Sequence, residues 1–262
     1  MAKTYLLIGD AGSGKTTAAC TCEHPTLIID VDCKADRMEN IRHLVESGDV
    51  DIHPIRIPLT SDSFRERALN PDKGIHTQPE GYLYVVDYLN RILAEEEEFG
   101  KYRTIVLDSL TRLTEHMKRL LIYLRGRGKF GKKVDGDMNW PSWGSYLSNL
   151  EELFTELIQM DKNFICTAHQ KIEMEHDDLT DSNIPLGYWP MVDGQMMKKL
   201  SGYFDECFFM ERKLRKNQPP QYLFRTVGNK YCARTSLNLE EFVPANICEL
   251  RKIHEKTKKE VS

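Results

Sequence analysis

Eight consecutive residues near the start of the chain, Gly9, Asp10, Ala11, Gly12, Ser13, Gly14, Lys15 and Thr16, fit the spacing G-x-x-x-x-G-K-[ST]. Glycines at these positions let the backbone curl until successive N–H groups face one centre, an arrangement suited to phosphate oxygens. A helix opened by Lys15, Thr16 and Thr17 adds the positive end of its dipole. Lys15 would neutralise the β and γ phosphates and the Thr16 hydroxyl would ligate Mg²⁺, so the expected chemistry is that of a magnesium nucleoside triphosphate. A glycine turn carrying an exposed lysine is the plainer alternative.

Such a ligand also needs a carboxylate on a buried strand beside the loop. Asp108, closing the run Thr104-Ile105-Val106-Leu107, meets that description, with capping of the next helix as its structural reading. Ser109 rather than Glu follows it, so a base that polarises water has to come from elsewhere. Asp30 and Asp32 end another apolar run two residues apart and therefore on one face, and either could orient the attacking water. His169 and Gln170 end a further run, where polar groups could sense the γ-phosphate or be ordinary loop residues.

The elements that must position these groups alternate along the chain. Strands are expected at 4–8, 26–30, 104–108 and 164–168, with a weaker, Pro54-interrupted edge strand at 52–57. Helices are expected from Lys15, over 82–93, from Leu110 to Leu121 and over 143–160, on three-to-four apolar spacing. Residues 60–79 read as a loop or short-helix insertion and 125–141 as a loop, 203–210 and 222–227 as later strands, and the chain after Pro244 as a charged helix. Short strands alternating with helices imply an α/β fold, a mostly parallel central sheet with helices on both faces and a C-terminal antiparallel strand extension. The core is expected to span 1–240 and the helical tail 241–262.

Composition narrows the function. With 36 basic and 40 acidic residues among 262, and a net charge of −4, no global positive field draws in nucleic acid, so any polyanion site must be local. Nothing approaches 18 uninterrupted apolar residues and no leader is evident, so the expected compartment is the cytoplasm and no membrane is involved. Seven cysteines without a C-x-x-C pair read as reduced thiols; Cys20, Cys22, His24 and Cys33 have spacing unlike that of zinc sites.

Taken in order, Gly9 to Thr16, Leu27 to Asp32, Ile105 to Leu110 and Phe164 to Gln170 resemble the core motifs of RecA-like recombinase ATPases. They look most like compact phage nucleotide-binding proteins that mediate single-strand annealing or recombination with single-stranded-DNA-binding protein. The resemblance spans about residues 3–235. It implies a RecA-like P-loop NTPase core that binds and hydrolyses ATP with Mg²⁺, acts on single-stranded DNA and assembles as a homo-oligomer. It also places the catalytic carboxylate on Asp32, where the family usually has Glu, and the glutamine that links nucleotide state to DNA on Gln170. Lys230 and Arg234 look similar to basic residues that reach a neighbouring subunit's ATP; two surface cations on a hairpin are the alternative.

Two segments bear on the DNA expectation. Arg125, Arg127, Lys129, Lys132 and Lys133 place five positive charges in nine residues with no acid among them, and Phe130, Trp140 and Trp143 nearby could stack bases. Single-stranded DNA is expected there, a solvated loop with the tryptophans as core anchors being the alternative. Residues 171–199, where the family's second DNA loop falls, instead hold six acids against three basic residues, which repels phosphate. An enzyme of another class, a P-loop kinase with the 125–133 loop as its lid, remains open on sequence.

Overall fold

Alternation along the first strand sets up two cores. In Thr4–Gly9 (β1), Leu6 and Ile8 join one cluster of buried side chains while Tyr5 and Leu7 join the other, as expected of a strand covered on both faces. The structure, a computed structural model, describes residues 2–56, 79–127, 140–177, 182–216, 218–250 and 252–254.

After β1 come Lys15–Ala19 (α1), Thr26–Asp30 (β2), Arg42–Glu46 (α2) and Val50–Pro54 (β3). Gly81–Leu93 (α3), Thr104–Asp108 (β4), Leu110–Arg127 (α4) and Trp140–Leu157 (α5) follow. The chain continues with Asn163–Asp177 (β5), Ser182–Pro190 (β6), Met196–Lys199 (α6), Glu206–Lys213 (β7), Gln221–Arg225 (β8) and Phe242–Pro244 (β9). The sheet runs β3-β2-β4-β5-β1-β7-β8-β9. Its neighbours are parallel from β3 through β7 and antiparallel from β7 to β9. This is the α/β class expected, with its antiparallel extension at the C-terminal end.

One face is covered by the three long helices. Val85 and Leu89 of α3, Leu110, Leu113 and Met117 of α4, and Leu150 and Phe154 of α5 are buried in a single cluster against Leu107, Phe164 and Cys166. Their three-to-four spacing is the cause: it gathers the apolar side chains of each helix into one stripe. Burial of a leucine of this kind contributes roughly 1.5–3 kcal/mol. The other face is lighter, with Ala18 and Ala19 of α1, Ile41, Ile247 and Leu250 packed on Tyr5, Leu7 and Phe208.

The boundaries differ from the sequence expectations in instructive places. β3 is an edge strand, as Pro54 requires. Helix α4 runs to Arg127, so Arg125 and Arg127 sit on its last turn instead of in a loop, while Lys129, Lys132, Lys133 and Phe130 lie outside the described residues. The expected loop or short-helix insertion at 60–79 lies outside them too, except for Pro79. The fourth strand does not stop at Ala168: β5 continues to Asp177 and pairs with β6 as an antiparallel ribbon, where a loop was expected. Ile172 and Met174 alternate with Glu173 and Glu175, a period of two carried by polar residues. β7 begins at Glu206 because Leu200–Tyr203 is a 3₁₀ turn. Past residue 240, β9 adds to the sheet and Val243, Ile247 and Leu250 enter the second core.

His116 is buried on α4. Burial, with Arg112 and Arg119 adding, lowers its pKa to about 4 from an ordinary 6.5. The unfolded chain therefore binds a proton at this site that the folded chain refuses between those values. Stability should fall as pH drops from about 6.5 to 4, by on the order of 3 kcal/mol for this group. Replacing His116 with Leu should flatten that segment of the stability–pH curve, measured by urea denaturation at pH 7 and pH 5.

Candidate nucleotide-binding site

The parallel order points the six strands from β3 through β7 the same way, toward the edge where open α/β sheets hold ligands. Register aligns Gly9 of β1 with His169 of β5, Asp30 of β2 with Asp108 of β4, and Ile8 with Phe209 of β7. The residues singled out on four separate apolar runs thus meet along one rim.

The glycine loop is wound by its own contacts. Gly12 and Gly14 have φ of 72° and 91°, values an L side chain resists, and Ser13 N–H donates to the Asp10 carbonyl at 3.2 Å. Lys15 Nζ donates to the carbonyls of Gly9 (2.9 Å) and Asp10 (2.8 Å), pinning the loop's entry. An ammonium has three donors, so one remains for a ligand. Burial lowers the Lys15 pKa, and the carboxylates of Asp108, Asp10 and Asp32 oppose that shift. A side chain on Gly14 would place its Cβ 2.8 Å from Tyr222 Cδ1, and one on Gly9 would lie 3.0 Å from Met210 Cβ. Strands β7 and β8 therefore roof the loop.

Asp108 is held from both sides. Thr16 Oγ1 donates to its Oδ2 at 2.6 Å and the Thr167 hydroxyl donates to its Oδ1. A threonine hydroxyl and a carboxylate in contact at the mouth of a phosphate loop are hard oxygen donors suited to Mg²⁺. Asp32 stands beside them, accepting from Ser109 Oγ at 3.2 Å with His169 Nε2 at 3.9 Å. The His169 pKa is lowered, first by burial and then by Lys15. Asp30 is different: fully buried, it accepts from the Ala35 amide at 2.7 Å through Oδ2, and its Oδ1 has no partner. Burial pushes its carboxyl up to about 6, with Asp108 adding to the rise. Of the two candidates for water orientation, Asp32 is the one on the rim.

The other expected site residues divide between the loop and more distant positions. Gln170 lines a cleft of about 370 Å³ together with Asp10, Ala11, Gly12 and Ser13. Thr17 accepts a hydrogen bond from Asn40 Nδ2. Lys230 Nζ reaches the Pro185 carbonyl at 2.9 Å and Arg234 Nη1 the Ser201 carbonyl at 3.4 Å, so within one chain both cations are engaged by backbone oxygens. Trp143 packs against the first core, edge-on to Tyr146 at 5.6 Å. Sequence reading missed Met210, Arg212 and Tyr222 at the loop; the alternation of β7 beyond Phe209 was the available signal.

Residues 1–237 match the family described as AAA domain, and the chain belongs to that family. No curated protein sequence is matched. Among solved structures, the chain is similar to the flagellar accessory protein FlaH from Methanocaldococcus jannaschii. That likeness has 12% identity and a TM-score of 0.36, covering 92% of this chain and 83% of that one. A KaiC-like protein from Pyrococcus horikoshii OT3 is similar at 13% identity and TM-score 0.42, over 87% of this chain and 81% of the other. An ATPase from the type III secretion system of pathogenic bacteria is similar at 10% identity and TM-score 0.42, over 80% of this chain and 52% of its own. Among the described residues, no helix is long and apolar enough to cross a membrane.

Replacing Gly14 with Ala forces a Cβ both into the Tyr222 ring and onto a backbone with φ of 91°. The variant should lose roughly 1–3 kcal/mol of stability and bind nucleotide more weakly. Thermal unfolding with and without Mg-ATP checks both.

Proposed function

We propose that this chain is a magnesium-dependent ATPase that works on single-stranded DNA in phage-type recombination or strand annealing, as an assembly of several copies and together with a single-stranded-DNA-binding protein. The observation that carries the nucleotide part is the contact of Thr16 with Asp108, formed at a loop whose lysine keeps a donor in reserve. Membership in the AAA domain family supports the same reading.

In this reading the loop amides and Lys15 bind the phosphates, and Thr16 with Asp108 would hold Mg²⁺. The ion, when bound, would neutralise charge on the phosphate oxygens. Asp32, with its ring partner His169, orients the water that attacks the γ-phosphorus; the bond to the β–γ bridging oxygen breaks, leaving ADP and inorganic phosphate. Gln170, one residue beyond His169, senses the terminal phosphate and passes its presence into the β5–β6 ribbon. Lys230 and Arg234 act on a neighbouring copy's nucleotide once assembly frees them from their carbonyls.

The DNA part rests on the resemblance of the motifs and on the cationic run Arg125, Arg127, Lys129, Lys132 and Lys133, which starts at the end of α4. The ribbon is a poorer surface for phosphate, since Glu175 is exposed and Glu173 is partnered by Trp189 and Lys198.

Hydrolysis should rise on adding a single-stranded oligonucleotide, and the rise should shrink between low and moderate salt because phosphate contacts weaken as counterions compete. Lys15→Ala should abolish nucleotide binding, whereas Asp32→Asn should keep binding and lose about 10²-fold or more in turnover. Phosphate transfer to a small acceptor without DNA would replace this reading with that of a kinase.

A further inference from the structure

Side chains on β7 alternate across the sheet, and this alternation selects one cation for the glycine loop. Met210 meets the loop at Gly9, and Arg212, two residues on and therefore on the same face, meets it at Gly12: its Nη1 lies 3.9 Å from where a Cβ on Gly12 would stand. The residue opposite Arg212 in the antiparallel pair is Tyr222, whose ring covers Gly14. Three independent contacts thus put the same face of β7 and β8 against the loop.

The intervening Glu211 alternates to the other side of the strand but still borders the same cleft as Arg212. It accepts from Arg225 Nε at 2.6 Å, and Arg225 also pairs with Glu241 and lies over the Tyr231 ring at 4.4 Å, so that acid is neutralised locally. The Arg212 side chain has no hydrogen-bond or ion-pair partner among the described residues. It is exposed, and it lines the same cleft as Asp10, Ala11, Ser13 and Gln170.

We propose that Arg212 is a phosphate-binding residue supplied in cis, closing on the triphosphate chain from the side of the loop opposite Asp108. The inference rests on reading the loop as a nucleotide site and adds to it a cation that none of the sequence motifs contains. An arginine suits the position because its planar fork can bond two oxygens at once while its stem lies along the loop. Lys15 has only one donor left over, so a second cation would share the remaining charge. It would also do so within one chain, whereas Lys230 and Arg234 are occupied by carbonyl oxygens.

The test is the affinity of a non-hydrolysable ATP analogue with Mg²⁺ for the full chain and for Arg212→Ala, Arg212→Gln, Arg212→Lys and Lys15→Ala. Removal of the charge in either the Ala or the Gln variant should weaken binding roughly tenfold or more, with Lys recovering part of it. The unliganded melting temperature should be unchanged, since the side chain is exposed. Wild-type affinity in the Gln variant while Lys15→Ala has lost binding would overturn the role of Arg212 and leave the site intact. Wild-type affinity in Lys15→Ala would sink the nucleotide reading itself, and this inference with it. A loss confined to oligonucleotide binding, with nucleotide affinity unchanged, would also overturn it.

Discussion

One hydrogen bond ties the candidate site together: the Thr16 hydroxyl on Asp108, joining residues 92 apart in sequence at 2.6 Å. It couples the first turn of α1 to the end of β4. The carboxylate is buried and both of its oxygens receive hydroxyl donors. A buried charge with no such partners would be costly, so Thr16 and Thr167 are as necessary to Asp108 as Asp108 is to them. Lys15, itself buried, supplies the compensating charge nearby, and the carboxylates around it offset the cost of desolvating its ammonium.

The same contacts account for how the loop is wound. Its shape is imposed by Lys15 on two carbonyls, by Thr16 on Asp108 and by the roof of Met210 and Tyr222. A phosphate chain would then meet donors already aimed, and little ordering would be left to oppose binding.

Much of this was legible in the residues. The glycine spacing and the four apolar runs located β1, β2, β4, the start of β5 and the loop, because buried parallel strands are continuous hydrophobic segments that periodicity cannot hide. Asp108 could be placed at a strand end for the same reason, whereas Asp32 lies two residues past the end of β2, in the turn that follows Asp30. The ribbon escaped because its alternation is between half-exposed apolar residues and glutamates, the pattern of a strand with no core to face. Asp30 and Asp32 look equivalent as letters; only the Ala35 amide and the closed surroundings of Asp30 separate them. Arg212 and Tyr222 were hidden for a topological reason. They come from strands about 200 residues downstream of the loop, and only the β1–β7 pairing brings them there.

That pairing continues outward, since β8 lies on β7, β9 lies on β8, and Ala245 N–H bonds the carbonyl of Tyr222 itself at 3.2 Å. The strand that carries the glycine turn and the stretch around residues 222–245 are therefore joined through one continuous ladder. The same segment also bonds the turn after α1, Ile247 N–H donating to Thr21 Oγ1 at 2.8 Å and Cys248 N–H to the Thr21 carbonyl at 3.3 Å, so the glycine loop and the helix behind it are braced from one late stretch of chain.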